Sequence, residues 1–230
     1  MLVLSRPENS ATDVNYRIFN NDGNEVSQCG NGARCIAAYL YDRGIVRKEE
    51  IIAETRHGVL KLSLQADGQV RVNMGIPEFE PAAIPLDVPR RELLYQLVVN
   101  NTSYDFFAVS MGNPHAVLVT ENAGTVPVQE VGPLIQASTL FPDGVNVGFM
   151  QVLDRGHIRL RVYERGAGET LACGSGACAA VVAGYLSEKL ANDVDVSLNG
   201  GHLLVSWSGE GEPVWATGPA TFVFEGRVTI

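Results

Sequence analysis

The sequence predicts an α/β (α+β) fold of two pseudo-symmetric domains, each a curved mixed or antiparallel sheet wrapped around a central helix. Three observations carry this expectation. One short stretch occurs twice: residues 25–32 read EVSQCGNG and residues 169–176 read ETLACGSG, each with a cysteine four residues after a glutamate in a glycine-rich turn. The agreement continues at the same 144-residue offset, with Arg17 falling on Arg161, Ile18 on Val162, Phe19 on Tyr163 and Val70 on Val214. The runs after the two cysteines, GARCIAAYLYD and GACAAVVAGYL, are apolar around most of a helix. Such a helix must be enclosed, and the neighbouring segments read as strands.

Taken in order, each unit has an alternating strand (YRIFN at 16–20, LRVYE at 160–164), a polar turn, the cysteine, the helix and then three strands. Strand-like runs near 51–55 and 60–64 fall on 194–198 and 203–207. Between the units, Pro77, Pro81, Pro85 and Pro89 recur in a segment that sustains neither helix nor central strand, which places the junction there. The second unit opens with FFAVSMGNPHAVLV at 106–119, a strand and turn, followed by a predicted helix at 128–138. Counterparts of these would carry numbers below 1. The first unit is therefore expected to lack about its first 40 residues, through a late-assigned start or a truncated product. After Gly218 and Pro219, TFVFEGRVTI at 221–230 is predicted as a last strand that crosses back to complete the first half. The expected domains are residues 1–76 completed by 219–230, and 77–218.

With 230 residues, 46% hydrophobic and 19% charged, the chain has the material for a real core. Seventeen basic against 26 acidic residues, a net charge of −9, argue against a nucleic-acid partner, since that binding rests on neutralising phosphates. No apolar run is long enough to span a bilayer and no charged-then-apolar leader opens the chain, so the expectation is a cytoplasmic protein without a membrane partner. Four cysteines are too few for a disulfide scaffold, and the spacings from Cys29 to Cys35 and Cys173 to Cys178 are not those of a structural zinc site. No metal is expected.

A cysteine at a helix N-terminus lies at the positive end of the dipole beside unpaired N–H groups, which favours the thiolate. The same N–H groups can hold a carboxylate. Two such sites face to face would set an anionic substrate between Cys29 and Cys173, an arrangement suited to stereoinversion at a carbon next to a carboxylate. One thiolate removes a proton from one face while the other thiol delivers one to the opposite face, and backbone donors stabilise the enolate-like charge. No carbonyl cofactor is needed.

The segments IFNNDGNEVSQCGNGARC, MGNPH, GVNVGF and YERGAGETLACGSGAC together closely resemble diaminopimelate epimerase, the cofactor-independent enzyme of bacterial lysine and cell-wall precursor synthesis. The resemblance implies that fold, and interconversion of LL- and meso-diaminopimelate by Cys29 and Cys173. It implies that Gly30, Asn31, Gly174 and Ser175 receive the reacting amino-acid end, and that Asn20, Asn113, Asn146, Glu164 and Arg165 contact the distal end. It further implies a homodimer. An early glycine, asparagine, aspartate, phenylalanine segment of the family is absent here, and Asn21 stands where the family commonly has alanine.

Cys35 and Cys178 read as small core residues. His115 next to Asn113 is a candidate for a proton relay or for orienting a neighbour, whereas His57, His157 and His202 read as structural. Glu25 and Glu169 are expected to satisfy backbone N–H groups rather than do chemistry. The alternatives are another cofactor-independent racemase on this scaffold, an inactive truncated amino-acid-binding protein and, less well supported, a thiol redox protein.

Overall fold

The computed structural model describes residues 1–19, 23, 25–26, 30–55 and 58–227, with only the backbone given at 25–26. Asn20, Cys29 and His57 lie outside the described residues. Two compact units are present, the first formed by Met1–Ser27, Asn31–Val72 and Gly218–Ile230, the second by Gln28–Gly30 and Asn73–Thr217.

The first unit contains β1 (Leu2–Ser5), β2 (Val14–Phe19), β3 (Glu25–Val26), α1 (Gly30–Asp42), β4 (Glu50–Thr55), β5 (Gly58–Leu64) and β6 (Val70–Asn73). Its sheet runs β1-β2-β4-β5-β6, with β3 paired to β2. All pairs are antiparallel except β2 with β4, the pair whose connection includes α1, as a parallel crossover requires. Strand β2 buries Val14, Tyr16 and Ile18, the period-two face anticipated from its alternation. Helix α1 buries Ala33, Ile36, Ala37 and Leu40, spaced i, i+3, i+4, i+7. Its other side is open: Tyr39 and Tyr41 are exposed, and Cys35, read from sequence as a core residue, is exposed as well. Cys35 lines an apolar groove with Leu4, Tyr39, Leu64, Phe222 and Phe224. Of the last strand expected at 221–230, residues 221–227 are described and are in no strand, and 228–230 lie outside the described residues; an alternating pattern marks a face that can be buried without supplying a partner strand.

The second unit begins with a 3-10 turn at Pro81–Ala83 in the proline-rich segment. It continues through β7 (Tyr95–Val99), β8 (Thr102–Ser110), β9 (Pro114–Val119), α2 (Val128–Gln136), β10 (Asn146–Asp154), β11 (His157–Glu164), β12 (Gly168–Thr170), α3 (Gly174–Leu186), β13 (Asp193–Leu198), β14 (Gly201–Ser206) and β15 (Trp215–Gly218). The sheet order is β7-β8-β9-β10-β11-β13-β14-β15, with β12 on β11. The parallel pairs, β9 with β10 and β11 with β13, are those bridged by α2 and α3. Residues 106–110, 114–118 and 146–150 of β8, β9 and β10 are buried without alternation, the signature of strands covered on both faces. One face carries Phe106, Ala108, Ala116, Leu118, Val147 and Phe149 into a cluster with Val128 and Ile135 of α2. On the other, Phe107 and Val109 line a cavity with Val182, Ala183 and Leu186 of α3. Helix α3 is therefore the enclosed helix its composition required, with residues 176–184 all buried.

The repeat read from sequence is a repeat of structure. Helices α1 and α3 begin and end 144 residues apart. The β2–β3 pairing of Ile18 with Val26 recurs as Val162 with Thr170, the same residues after the offset. The environments of the two copies differ at Cys35, which is exposed, whereas its counterpart Ala179 is buried in a helix that packs on β8 and β9.

Candidate functional site

The second unit gathers most of the candidate residues at the N-terminal end of α3. Cys173 is the residue just before the helix, in extended conformation (φ −124°, ψ 108°), and its carbonyl accepts the first helical bond from the Ala177 N–H at 2.9 Å. Gly174 and Ser175 follow in the first turn, where backbone N–H groups have no intrahelical acceptor. The N–H groups of such a helix end can hold an anion, and the Gly176 N–H is directed at the Cys173 sulfur.

Glu164 ends β11, and the hairpin to β12 brings it back over Cys173. The Cys173 thiol donates to Glu164 Oε2 at 3.1 Å, and the Thr170 hydroxyl makes a short hydrogen bond to Glu164 Oε1. The Ser175 hydroxyl lies 3.6 Å from the Cys173 sulfur. Cys173 is only 4% exposed. Burial first, then the charge of Glu164 and the hydrogen bond to it, push the thiol well above its ordinary range, while Ser175 and the Gly176 N–H pull weakly the other way. The thiolate expected from the helix dipole is thus not the favoured form at Cys173. A dipole contributes on the order of 1 kcal/mol, less than desolvation beside an anion. Glu164, assigned from the resemblance to the distal end of a substrate, is in contact with the thiol itself.

Asn113 sits in the turn joining β8 to β9, where Gly112 adopts φ +82° and so must be free of a side chain. Its Nδ2 donates to Ser175 Oγ at 3.4 Å. His115 Nε2 lies 3.0 Å from Asn113 Oδ1, and since that oxygen can only accept, the ring donates from Nε2. Burial, and secondarily the charge of Arg165, push the His115 pKa down to about 3, so the ring is neutral. It orients the Asn113 amide.

Asn146 is a buried strut: its Nδ2 donates to the Pro114 carbonyl at 2.9 Å and its Oδ1 accepts from the Arg165 backbone N–H at 2.9 Å. It ties β10 to the start of β9 and to the residue after Glu164. The Arg165 side chain is exposed and donates to the Asp143 carbonyl at 2.8 Å. Gly30 and Asn31 open α1, where Asn31 Oδ1 accepts from Arg34 Nη2 at 2.8 Å.

Glu169 does not cap a helix. Its carboxylate takes a forked pair from Arg161, Nε at 2.6 Å and Nη2 at 3.1 Å, and a further bond from Gln129. Arg161 Nη1 also donates to the carbonyls of Ala123 and Val126, so this pair anchors the β11–β12 hairpin that carries Glu164. Hydrogen bonding by Arg161 holds the Glu169 carboxyl below its usual range. Thr170 was passed over in the sequence; the one available signal was a hydroxyl three residues before a repeated cysteine whose counterpart, Val26, has none. Among the described residues no group of three or more His, Cys, Asp or Glu is placed to hold a metal, and no helix is long and apolar enough to cross a membrane.

Residues 2–80 and 107–223 match the family model described as diaminopimelate epimerase. The chain is 50% identical over 230 residues to a diaminopimelate epimerase of Nitrosomonas europaea, covering 100% of this chain and 83% of that one. It is 53% identical over 232 residues to one of Thioalkalivibrio sulfidiphilus, covering 100% and 84%. Among solved structures, a probable proline racemase from Agrobacterium radiobacter with bound carbonate superposes with a TM-score of 0.71 at 18% identity, over 100% of this chain and 75% of that one. A hydroxyproline epimerase from Agrobacterium vitis with bound trans-4-hydroxy-L-proline superposes at 0.68 and 18%, over 95% and 72%. At that identity the likeness is one of fold.

Proposed function

Because the chain belongs to the diaminopimelate epimerase family, we propose that it is an isomerase that interconverts LL- and meso-diaminopimelate by a two-cysteine proton transfer at the α-carbon, without pyridoxal phosphate. The observation that carries the proposal is the Cys173 thiol, buried just before the first turn of α3 and donating to Glu164 at 3.1 Å. The substrate α-carboxylate is received by the N–H groups of Gly174 and Ser175, and by the equivalent Gly30 and Asn31 of the first copy. Those donors stabilise the charge that spreads onto the carboxylate as the α-proton leaves.

In one direction the Cys29 thiolate removes the α-proton from one face and Cys173 gives its thiol proton to the other. The C–H bond breaks toward one sulfur as a new C–H bond forms from the second, and the stereocentre inverts. That step leaves Cys29 as thiol and Cys173 as thiolate, the pair of states from which the reverse inversion starts; Glu164, bonded to the Cys173 thiol, is the adjacent base through which its proton exchanges. Two groups of unlike resting protonation are what a one-step inversion needs. Asn113, held by His115, supports the reacting end through Ser175. Asn20, Asn113, Asn146, Glu164 and Arg165 are the family-implied contacts for the second amino-acid end; of these, the exposed Arg165 guanidinium is the group suited to a carboxylate. Lysine and cell-wall precursor synthesis, a cytoplasmic location and a homodimeric assembly form part of the same reading.

Incubation with LL-diaminopimelate in heavy water, under reducing conditions, tests it. The expected product is meso-diaminopimelate with one deuterium at the inverted carbon. Proline and 4-hydroxyproline serve as controls. Turnover of either control in place of diaminopimelate would replace this reading with another racemase of the same scaffold, and binding without exchange would indicate an inactive binding protein.

A further inference from the structure

We infer that Thr170 is a positioning residue for proton transfer at Cys173: its hydroxyl clamps one oxygen of the Glu164 carboxylate so that the other stays aimed at the thiol. The inference rests on the epimerisation proposed above and assigns a further residue to it. In the β11–β12 hairpin Val162 faces Thr170 and Glu164 faces Gly168. Side chains two apart on a strand share a face, so Thr170 and Glu164 are diagonal neighbours on one surface. The hairpin then delivers Cys173 three residues later, and the carboxylate is bridged, Oε1 to the Thr170 hydroxyl and Oε2 to the thiol at 3.1 Å. An unclamped carboxylate turns broadly about its last bond. With Thr170 bound, a single oxygen is left for sulfur.

The internal repeat separates this pair from mere hairpin construction. Arg161 and Glu169, which anchor the hairpin, have counterparts Arg17 and Glu25 in the first copy. At the positions of Glu164 and Thr170 the first copy has Asn20 and Val26: the carboxylate and the hydroxyl are absent together. The scaffold is common to both halves, whereas the clamp belongs to the half that carries Cys173. The other ionisable groups on the packed elements are otherwise engaged: Arg161 with Glu169, the Arg165 side chain with the Asp143 carbonyl, and His115 buried and neutral.

The test compares Thr170→Val with Thr170→Ser in the full chain. A hydrogen bond to a charged group predicts a fall in kcat of about tenfold or more for the valine variant, with KM for diaminopimelate within about twofold. Serine should restore kcat. Wild-type kcat in Thr170→Val would overturn the inference, as would a rise in KM without a fall in kcat, or equal losses in the two variants, which would assign the role to the methyl group. Failure of the proposed reaction is distinguished by the unaltered chain in the same assay, which would then give no product at all.

Discussion

Replacing Glu164 by glutamine keeps the shape of the side chain at Cys173 and removes its charge and its capacity to take a proton. The thiol donates to Glu164 Oε2 at 3.1 Å, a charge-assisted bond worth about 1.5–3 kcal/mol, or roughly 10- to 150-fold in rate at 1.4 kcal/mol per tenfold. Glutamine still offers an oxygen to the thiol, so ground-state geometry is kept while the proton relay is lost. The expected result is a fall of kcat within that range, with KM for diaminopimelate little changed. The same substitution removes the charge that raises the thiol, so alkylation of Cys173, followed by peptide mass spectrometry against pH, should begin at lower pH than in the parent. A raised KM with unchanged kcat would refute this reasoning and return Glu164 to the substrate-contact role implied by the family resemblance. An unshifted alkylation profile would equally contradict a charged carboxylate at the thiol.

Three further outcomes are expected. A Cβ at Gly184 would lie 2.2 Å from Leu190 Cδ1, so Gly184→Ala should destabilise the second unit by about 1–3 kcal/mol in a urea titration, and pairing it with Leu190→Ala should cost less than the sum of the two. His115, neutral with its pKa near 3, is protonated in the unfolded chain below its ordinary 6.5. The unfolded state then binds more protons, and stability falls as pH drops from 6.5 toward 3, by roughly 2 kcal/mol at pH 5; His115→Gln should flatten that slope. Cys35, exposed, should be alkylated in the native protein long before the buried Cys178, a difference readable by peptide mass spectrometry.

The repeat made much of the fold legible. Because both copies use the same turn, cysteine and apolar helix, the 144-residue offset placed α1 against α3 and β2 against β11 without any structural information. Local pattern also found β8, β9 and α2. Less legible was whatever depends on what covers an element from far along the chain. The sequence of α1 is amphipathic, with Asn31, Arg34 and Asp42, where that of α3 is apolar almost throughout; Ala179 lies in a helix packed on β8 and β9 while Cys35 opens onto a groove. The apolar alternation at 221–230 reads as a strand, yet its described residues, 221–227, join no ladder.

At the site, sequence supplied the residues and the structure their partners. Cys173, Ser175, Asn113 and Glu164 come together around one helix end. That Glu164 turns to sulfur, that Thr170 holds it there, and that Glu169 is engaged by Arg161 instead of a helix end are consequences of hairpin register and side-chain rotation. Neither leaves a mark in residue spacing. The dipole that favours a thiolate is opposed at Cys173 by burial and by the neighbouring carboxylate, which push the thiol up and leave no mark in residue spacing.

The most direct test of the account is Cys173→Ala incubated separately with LL- and meso-diaminopimelate in heavy water, following the α-proton by NMR. The variant is predicted to form no inverted product from either isomer. It should exchange the α-proton of only that isomer whose C–H bond faces the one thiol left, Cys29. Interconversion of the isomers by Cys173→Ala at a rate near that of the parent chain would contradict proton transfer through Cys173.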